Sequence, residues 1–313
     1  MSKLALKYLK NILILLFFAI SIYIIATNVE LSVIREYLSS IPKDKLLILG
    51  FISLLTSTLK AVRLKRVTMS PLRMDRFAAI SYVHNILAVL IPFKLGELSF
   101  PLLIKRYSGE EFSRSFAQLI VVRLMDAIFV FTIGMVIVFS MFDEIAIKLF
   151  TLFGLIGVVF ALLLMRSDKF IIFLKRFKWL NPITKIFSVI DQIPSAKLLE
   201  SAFYTTVIWT LTYLFAFLMI RFLNVDLSLI GTMVWNTLFA LAAAIPFQTP
   251  GMVGTAEAIG VFVFEYFGVQ GSAATPLELS VILHAISLGL GALWGIIGGI
   301  YLWIFVKPYQ GPK

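Results

Sequence analysis

The chain has 313 residues, 60% of them hydrophobic and 14% charged, with a mean hydropathy of +0.98, which is far too apolar for a water-soluble domain. Its formal net charge of +11 comes from cations in short segments between apolar runs, the arrangement that orients a multi-pass membrane protein, and no basic motif resembles a nucleic-acid reading module. Without cysteine there can be no disulfide, thiolate metal site or cysteine nucleophile, and two histidines are too few for a histidine-rich metal centre, so no cofactor is expected.

Lys3, Lys7 and Lys10 precede an apolar run over residues 12–26. It reads as a retained first helix rather than a signal peptide, because no small-residue cleavage site follows and further spans do. A mixed-charge loop covers residues 27–45, and a second span covers 46–61. Next come Arg63, Lys65, Arg66, Arg73 and Arg76, a dense cationic group that the positive-inside rule places in the cytoplasm. An interrupted apolar segment over residues 77–104 has cations on both flanks, with Lys105, Arg106 and Arg114 at its exit. It therefore reads as a re-entrant hairpin of two half-helices meeting near Pro92–Gly96. Spans over 116–139 and 145–165 follow, joined at Asp143 and Glu144 and long enough for a bilayer of about 30 Å.

Residues 166–198 form a second cationic interval. Phe170, Phe173, Leu174 and Phe177 fall on one helical face and Lys169, Lys175, Arg176 and Lys178 on the other. That pattern fits a helix lying in the cytoplasmic interface, with a solvated connector as the alternative. A span over 199–223 leads outward to Asn224 and Asp226, so a second interrupted segment, centred on residues 236–260, enters from outside. The last span, 277–305, carries Gly291, Gly295 and Gly299 at four-residue spacing, a smooth face for helix packing. Three crossings separate the two hairpins, which makes their insertion opposite in sense. The expected fold is an all-α integral membrane protein of the cytoplasmic (inner) membrane, with both termini cytoplasmic. It has about six full transmembrane helices and two opposed re-entrant hairpins, and forms a degenerate inverted repeat of residues 46–165 and 199–306.

The two interruptions are built alike. Leu87 to Phe93, ending in Ile-Pro-Phe, lines up with Leu241 to Phe247, which also ends in Ile-Pro-Phe. Pro92, Gly96, Pro246, Pro250, Gly251 and Gly254 break what would otherwise be continuous helices. In lipid such breaks are tolerated where protein or a wet cavity satisfies the freed backbone groups. A half-helix beginning inside the membrane turns unpaired donors toward the cavity, and Gly251 and Gly254 would let a phosphate approach that backbone. Lys94 adds a positive charge there, or else snorkels or pairs with Glu97. Glu97 and Glu257 stand at the starts of second half-helices, where the dipole alone favours a carboxylate; as intramembrane acids they could also pair with a cation, bind a coupling ion or carry a proton. Arg123 and Asp126, three apart on one helix, are placed to neutralise each other, although Arg123 could snorkel. His84, His284, Gln118 and Asn236 read as packed, hydrogen-bonded residues.

Gly96-Glu97, Arg123, Asp126, Pro250-Gly251, Gly254 and Glu257 together resemble the signature of the flippase-like membrane region of lysylphosphatidylglycerol synthases. That family also includes stand-alone membrane proteins and relatives in archaeal polyprenol-linked glycosylation. The resemblance implies a phospholipid or polyprenyl-phosphate-type lipid as partner, and the expected match is to the stand-alone branch, without a soluble aminoacyl-transferase domain. Translocation of a lipid or amphiphile with a phosphate-bearing head group is the expected function, with a proton or sodium ion as coupling partner and homo-oligomers as a further partner. The chain is not expected to be an enzyme. The alternatives are an embedded transferase acting on a lipid-linked substrate, with Glu257 or Asp126 as general base, and an accessory protein that anchors an enzyme.

Overall fold

A computed structural model of the chain describes residues 3–164, 192–245, 248–269 and 274–310. These residues are helical apart from short connections, with no strand among them. In order they form α1 (Lys3–Asn28), α2 (Leu31–Ser40), α3 (Lys43–Thr68), α4 (Met74–Leu90), α5 (Ser99–Ser108), α6 (Phe112–Met141) and α7 (Ile145–Leu164), then α8 (Ser195–Phe222), α9 (Leu229–Ala244), α10 (Thr255–Tyr266) and α11 (Pro276–Phe305). Four of them, α3, α6, α8 and α11, are long and apolar enough to cross a membrane. The pair α1–α2, bent by 79°, makes a fifth if counted as one span. α7 occupies the place of the span expected over 145–165. The mixed-charge loop expected over 27–45 instead contains α2. The amphipathic connector lies mostly outside the described residues, as does Pro246.

Both interrupted segments are helix–break–helix units. At 17 and 16 residues, α4 and α9 reach only about 25 Å, less than the roughly 30 Å core of a bilayer. Each ends on the isoleucine that precedes a proline. Ile91 (φ −85°, ψ 119°) and Ile245 (φ −67°, ψ 137°) are extended, as the following ring demands. The chain then turns through left-handed residues, Phe93 and Lys94 in the first break and Gly251 and Met252 in the second.

Two hydrophobic cores show how the hairpins insert. One gathers Phe77, Ile80, Phe100, Ile104 and Leu119 around Leu302 and Val306, at the C-terminal end of α11. The other gathers Leu223, Val225, Leu227, Val263 and Phe264 around Leu279 and Ile282, at its N-terminal end. Hydrogen bonds fix both ends of the first hairpin at the C-terminal end of α11. Tyr301 Oη donates to Asp75 at 2.6 Å, and the Tyr309 amide donates to the Arg106 carbonyl at 2.8 Å. The hairpins thus enter from opposite ends of one 30-residue helix. Their tips meet between those ends, where the Phe93 amide donates to the Gln248 carbonyl at 3.4 Å.

Helix pairing follows the same exchange. α4 lies along α11 and α9 along α6, α5 packs on α6 and α10 on α11, α3 packs on α4 and α8 on α9, and α3 packs on α8. Swapping α3 with α8, α4 with α9, α5 with α10 and α6 with α11 maps this set onto itself. The α4–α11 contact is close because α11 offers glycine there. A Cβ on Gly295 would collide with Ile86, and one on Gly298 would lie 2.8 Å from the Ala79 carbonyl oxygen. The packing face therefore runs through Gly295 and Gly298 rather than Gly299, where a Cβ meets only a Val83 methyl at 3.9 Å.

Candidate functional site

Between the hairpins, α3, α6 and α8 lies a cavity of about 390 Å³, lined by Lys60, Lys94, Glu97, Arg123, Asp126, Trp209, Asn236, Gln248 and His284 among apolar side chains. A second cavity of about 270 Å³ adjoins it between α3, α4 and α11. The two share Lys60, Asn85, Thr212, Phe239 and His284.

In the first break, the turn Leu95–Leu98 packs directly on the backbone of α4, where a Cβ on Gly96 would overlap the Leu87 carbonyl. Glycine is required there, and it places Glu97 at the cavity wall. Glu97 Oε2 accepts from Arg123 Nη2 at 3.0 Å and Nε at 3.2 Å. Arg123 Nη2 also lies 3.3 Å from His84 Nε2. Glu97 Oε2 lies 3.5 Å from the same Nε2 and Ser99 Oγ 2.9 Å from Nδ1, so the ring is held between the ion pair and a hydroxyl. Lys94, in left-handed conformation, neither snorkels nor pairs with Glu97. Its ammonium donates to the Ala243 carbonyl at the C-terminus of α9, which also accepts from Gln248 Nε2 at 2.8 Å. A cation there satisfies an orphan carbonyl and the negative end of the helix dipole.

Asp126 has a different partner from the one its spacing suggests. Arg63 grips it with both terminal nitrogens, Nη1 to Oδ1 at 2.6 Å and Nη2 to Oδ2 at 2.9 Å, while Trp209 Nε1 donates to Oδ1 at 3.0 Å. Arg123 is 3.9 Å away. Arg63 is 2% exposed and also donates to Thr205 Oγ1 at 2.8 Å, so it does not belong to a surface cationic group. The reason is helix length: α3 continues to Thr68, seven residues beyond the expected span, and carries Arg63 inward.

The second break is organised around its own helix start. The Gly254 amide donates to Glu257 Oε2 at 2.6 Å, closing the first turn of α10, and Glu257 Oε1 accepts from His284 Nδ1 at 2.6 Å. Ser21 of α1 fills the space that a Cβ on Gly254 would need. The Gly254 donor is therefore engaged and its approach closed by α1, contrary to the expectation that a phosphate would dock there. Glu257, 5% exposed, is not at the cavity wall; His284 stands between it and the cavity. Gly251 is buried and Pro250 opens the short turn Pro250–Met252, whose Met252 reaches the wall.

Lys94, Glu97, Arg123 and Asp126 thus line one cavity, Gly96 and Glu257 support groups that do, and Pro250, Gly251 and Gly254 shape the second break. Lys60, Arg63, His84 and His284 complete the site. Counting Arg63 behind the wall, four cations face two carboxylates, an excess of positive charge inside an apolar bundle. The expected signal for the missed cations was present in α3: Ser53, Thr56, Ser57, Lys60 and Arg63 recur at three- and four-residue spacing, a polar stripe on one helical face.

Fold and site define a polytopic helical membrane protein whose two opposed, broken hairpins meet at a charged internal cavity. Over residues 11–295 the chain matches the family model described as the lysylphosphatidylglycerol synthase TM region, and it belongs to that family, a lipid-related family of membrane proteins. Comparison with curated proteins and with solved structures found no match.

Proposed function

We propose that the protein is a flippase that carries a lipid or amphiphile with a phosphate-bearing head group across the cytoplasmic membrane. The observation that carries this reading is the cavity itself, walled by both hairpin tips and holding more cations than carboxylates, with apolar α8 and α9 side chains beside them. Charged groups are costly within a bilayer and find their use on a pathway for polar cargo. Helices broken at corresponding places of two halves put such a site near the midplane, and the exchange-symmetric packing supports an inverted repeat of residues 46–165 and 199–306. The cationic flanks of the first hairpin orient its open end toward the cytoplasm, together with both termini. A proton is the coupling ion this reading favours, since His284 and Glu257 form a hydrogen-bonded titratable pair beside the cavity.

Purified protein in vesicles carrying a fluorescently labelled phosphatidylglycerol tests the proposal. An impermeant reductant should bleach nearly all of the label rather than the outer leaflet alone, and bleaching that stops at the outer leaflet removes the reading. A second reading is a transferase acting on a lipid-linked substrate, favoured by the Glu257–His284 pair, in which a carboxylate fixes the imidazole and leaves Nε2 as a base. A new lipid product in the same vesicles would select it.

A further inference from the structure

Of the cations at the cavity, Arg63 is held by Asp126, Arg123 by Glu97 and Lys94 by the carbonyl end of α9. Lys60 is different. It lies on the α3 stripe one turn before Arg63 and lines both cavities, yet makes no hydrogen bond or ion pair among the described residues. Asp126, the carboxylate that shares its cavity, is already bonded to Arg63 and Trp209. Asn85 lines the same two cavities from α4; its amide nitrogen is buried and without a partner. Buried polar groups in folded proteins are nearly always hydrogen-bonded, and an intramembrane ammonium without a counter-charge is more costly still. Two residues that line one space and each carry a donor without a partner are the elements from which an oxyanion site is built.

We infer that Lys60 and Asn85 form the receptor for the head-group phosphate, and that the ligand is a lipid whose head group carries a net negative charge. This rests on the translocation reading for its biological role, but the site stands on its own geometry. Lys60 has no counter-charge of its own, so the ligand must bring a net negative charge. Ile86, Val89, Phe215, Phe239 and Leu288 wall the same space with apolar surface, which suits an acyl-bearing ligand better than free phosphate.

The cavities contain their own reporters, Trp209 and Trp235 in the larger and Trp294 in the smaller. Tryptophan emission of the full chain in detergent is titrated with dihexanoyl phosphatidylglycerol, the corresponding phosphatidic acid and phosphatidylcholine, and free glycerol phosphate. The wild type should bind phosphatidylglycerol and phosphatidic acid more tightly than phosphatidylcholine. Lys60→Met should weaken that binding at least about tenfold while leaving phosphatidylcholine unchanged, and Lys60→Arg should restore most of it. Unaltered phosphatidylglycerol binding in Lys60→Met overturns the assignment, and free glycerol phosphate binding as tightly as the lipid overturns the choice of a lipid ligand. Should Lys60→Met not fold, Asn85→Asp puts a carboxylate on the cavity wall that Lys60 shares and should abolish phosphatidylglycerol binding; full binding in that variant is equally fatal. The two readings fail separately. A wild type that binds through Lys60 but moves no lipid between leaflets discards translocation alone, while translocation that survives Lys60→Met with its lipid preference intact discards the receptor alone.

Discussion

The two hairpins occupy corresponding places in the chain, break after the same Ile-Pro-Phe and carry a glutamate just beyond, yet they use that glutamate differently. In the first, Glu97 reaches out of its own element to Arg123 on α6 and stands at the cavity wall. In the second, Glu257 turns back to the Gly254 amide at the start of its own helix, and its other oxygen holds His284, which faces the cavity in its place. Matching sequence positions therefore do not imply matching electrostatics. One carboxylate pairs with a cation at the cavity wall, while the other fixes the ring of a histidine.

The sharpest test of the comparison is whether the hairpins are opposed in a membrane. The chain has no native cysteine, so Glu111→Cys, beyond the first hairpin, and Asp226→Cys, before the second, each give one label site. An impermeant thiol reagent should reach them from opposite faces of sealed vesicles, all or none. Reaction of both from the same face would break the arrangement.

Next in size is the pair behind the first hairpin. Arg63 and Asp126 are 2% and 15% exposed and joined by two charge-assisted bonds, so removing one partner strands a charge among apolar groups. Asp126→Leu should cost about 3–5 kcal/mol, whereas Arg63→Met combined with Asp126→Leu should recover most of that, because replacing a whole buried pair by apolar groups is often near neutral. Thermal denaturation of the two variants measures it. A single variant no less stable than the double would show that the pair is not buried as described.

Much of this was legible in the sequence. Apolar runs marked the long helices, and the two prolines marked where α4 and α9 end, because proline acts on the residue before it whatever the surroundings. The partner choices were not legible. Spacing along α6 suggested that Arg123 and Asp126 neutralise each other, but the decision was made by α3, a helix far away in sequence that continues past the last uncharged turn. Charge density alone groups Arg63 with the cytoplasmic cluster, whereas helical phase sets it apart. The stripe running from Ser53 to Arg63 held the phase. His84 and His284 were rightly read as hydrogen-bonded residues, but their partners, Ser99 and Glu257, depend on how the breaks fold.

The glutamates themselves can be compared by one substitution. Glu97→Gln removes a partly screened pair and should cost no more than about 1 kcal/mol of stability, with lipid translocation reduced and its dependence on a proton gradient retained. Glu257→Gln removes a charge from a helix start, worth on the order of 0.3–1 kcal/mol, and takes the carboxylate partner from His284. Translocation by that variant should lose its response to the gradient, as should His284→Gln. Loss of the response in Glu97→Gln with retention in Glu257→Gln would reverse the roles assigned to the two hairpins.

The smallest expected effect lies at the hairpins' open ends, where the contrast changes sign. After the second hairpin, Glu278 is fully used: Oε2 accepts from the Thr275 amide and hydroxyl, both at 2.8 Å, and Oε1 from the Glu30 amide at 3.1 Å. After the first, in the linker between α5 and α6, Glu110 Oε2 is buried without a partner, and Arg114 is only within 3.9 Å of the other oxygen. Burial raises the Glu110 carboxyl above its ordinary value of 4.5, against the weaker pull of Arg114. A carboxyl whose pKa is raised on folding favours the folded state when protonated. That contribution is complete below the ordinary value and is lost as the pH rises through the raised one. At neutral pH the ionised Glu110 is therefore a small burden, below about 1 kcal/mol after solvent screening. Glu110→Gln should raise the melting temperature slightly at pH 7.5, with the gain shrinking as the pH is lowered toward 4.5, whereas Glu278→Gln should lower it by removing a charged helix cap. If both substitutions destabilise the protein at neutral pH, Glu110 is paired in the membrane-embedded protein and the difference between the two open ends disappears.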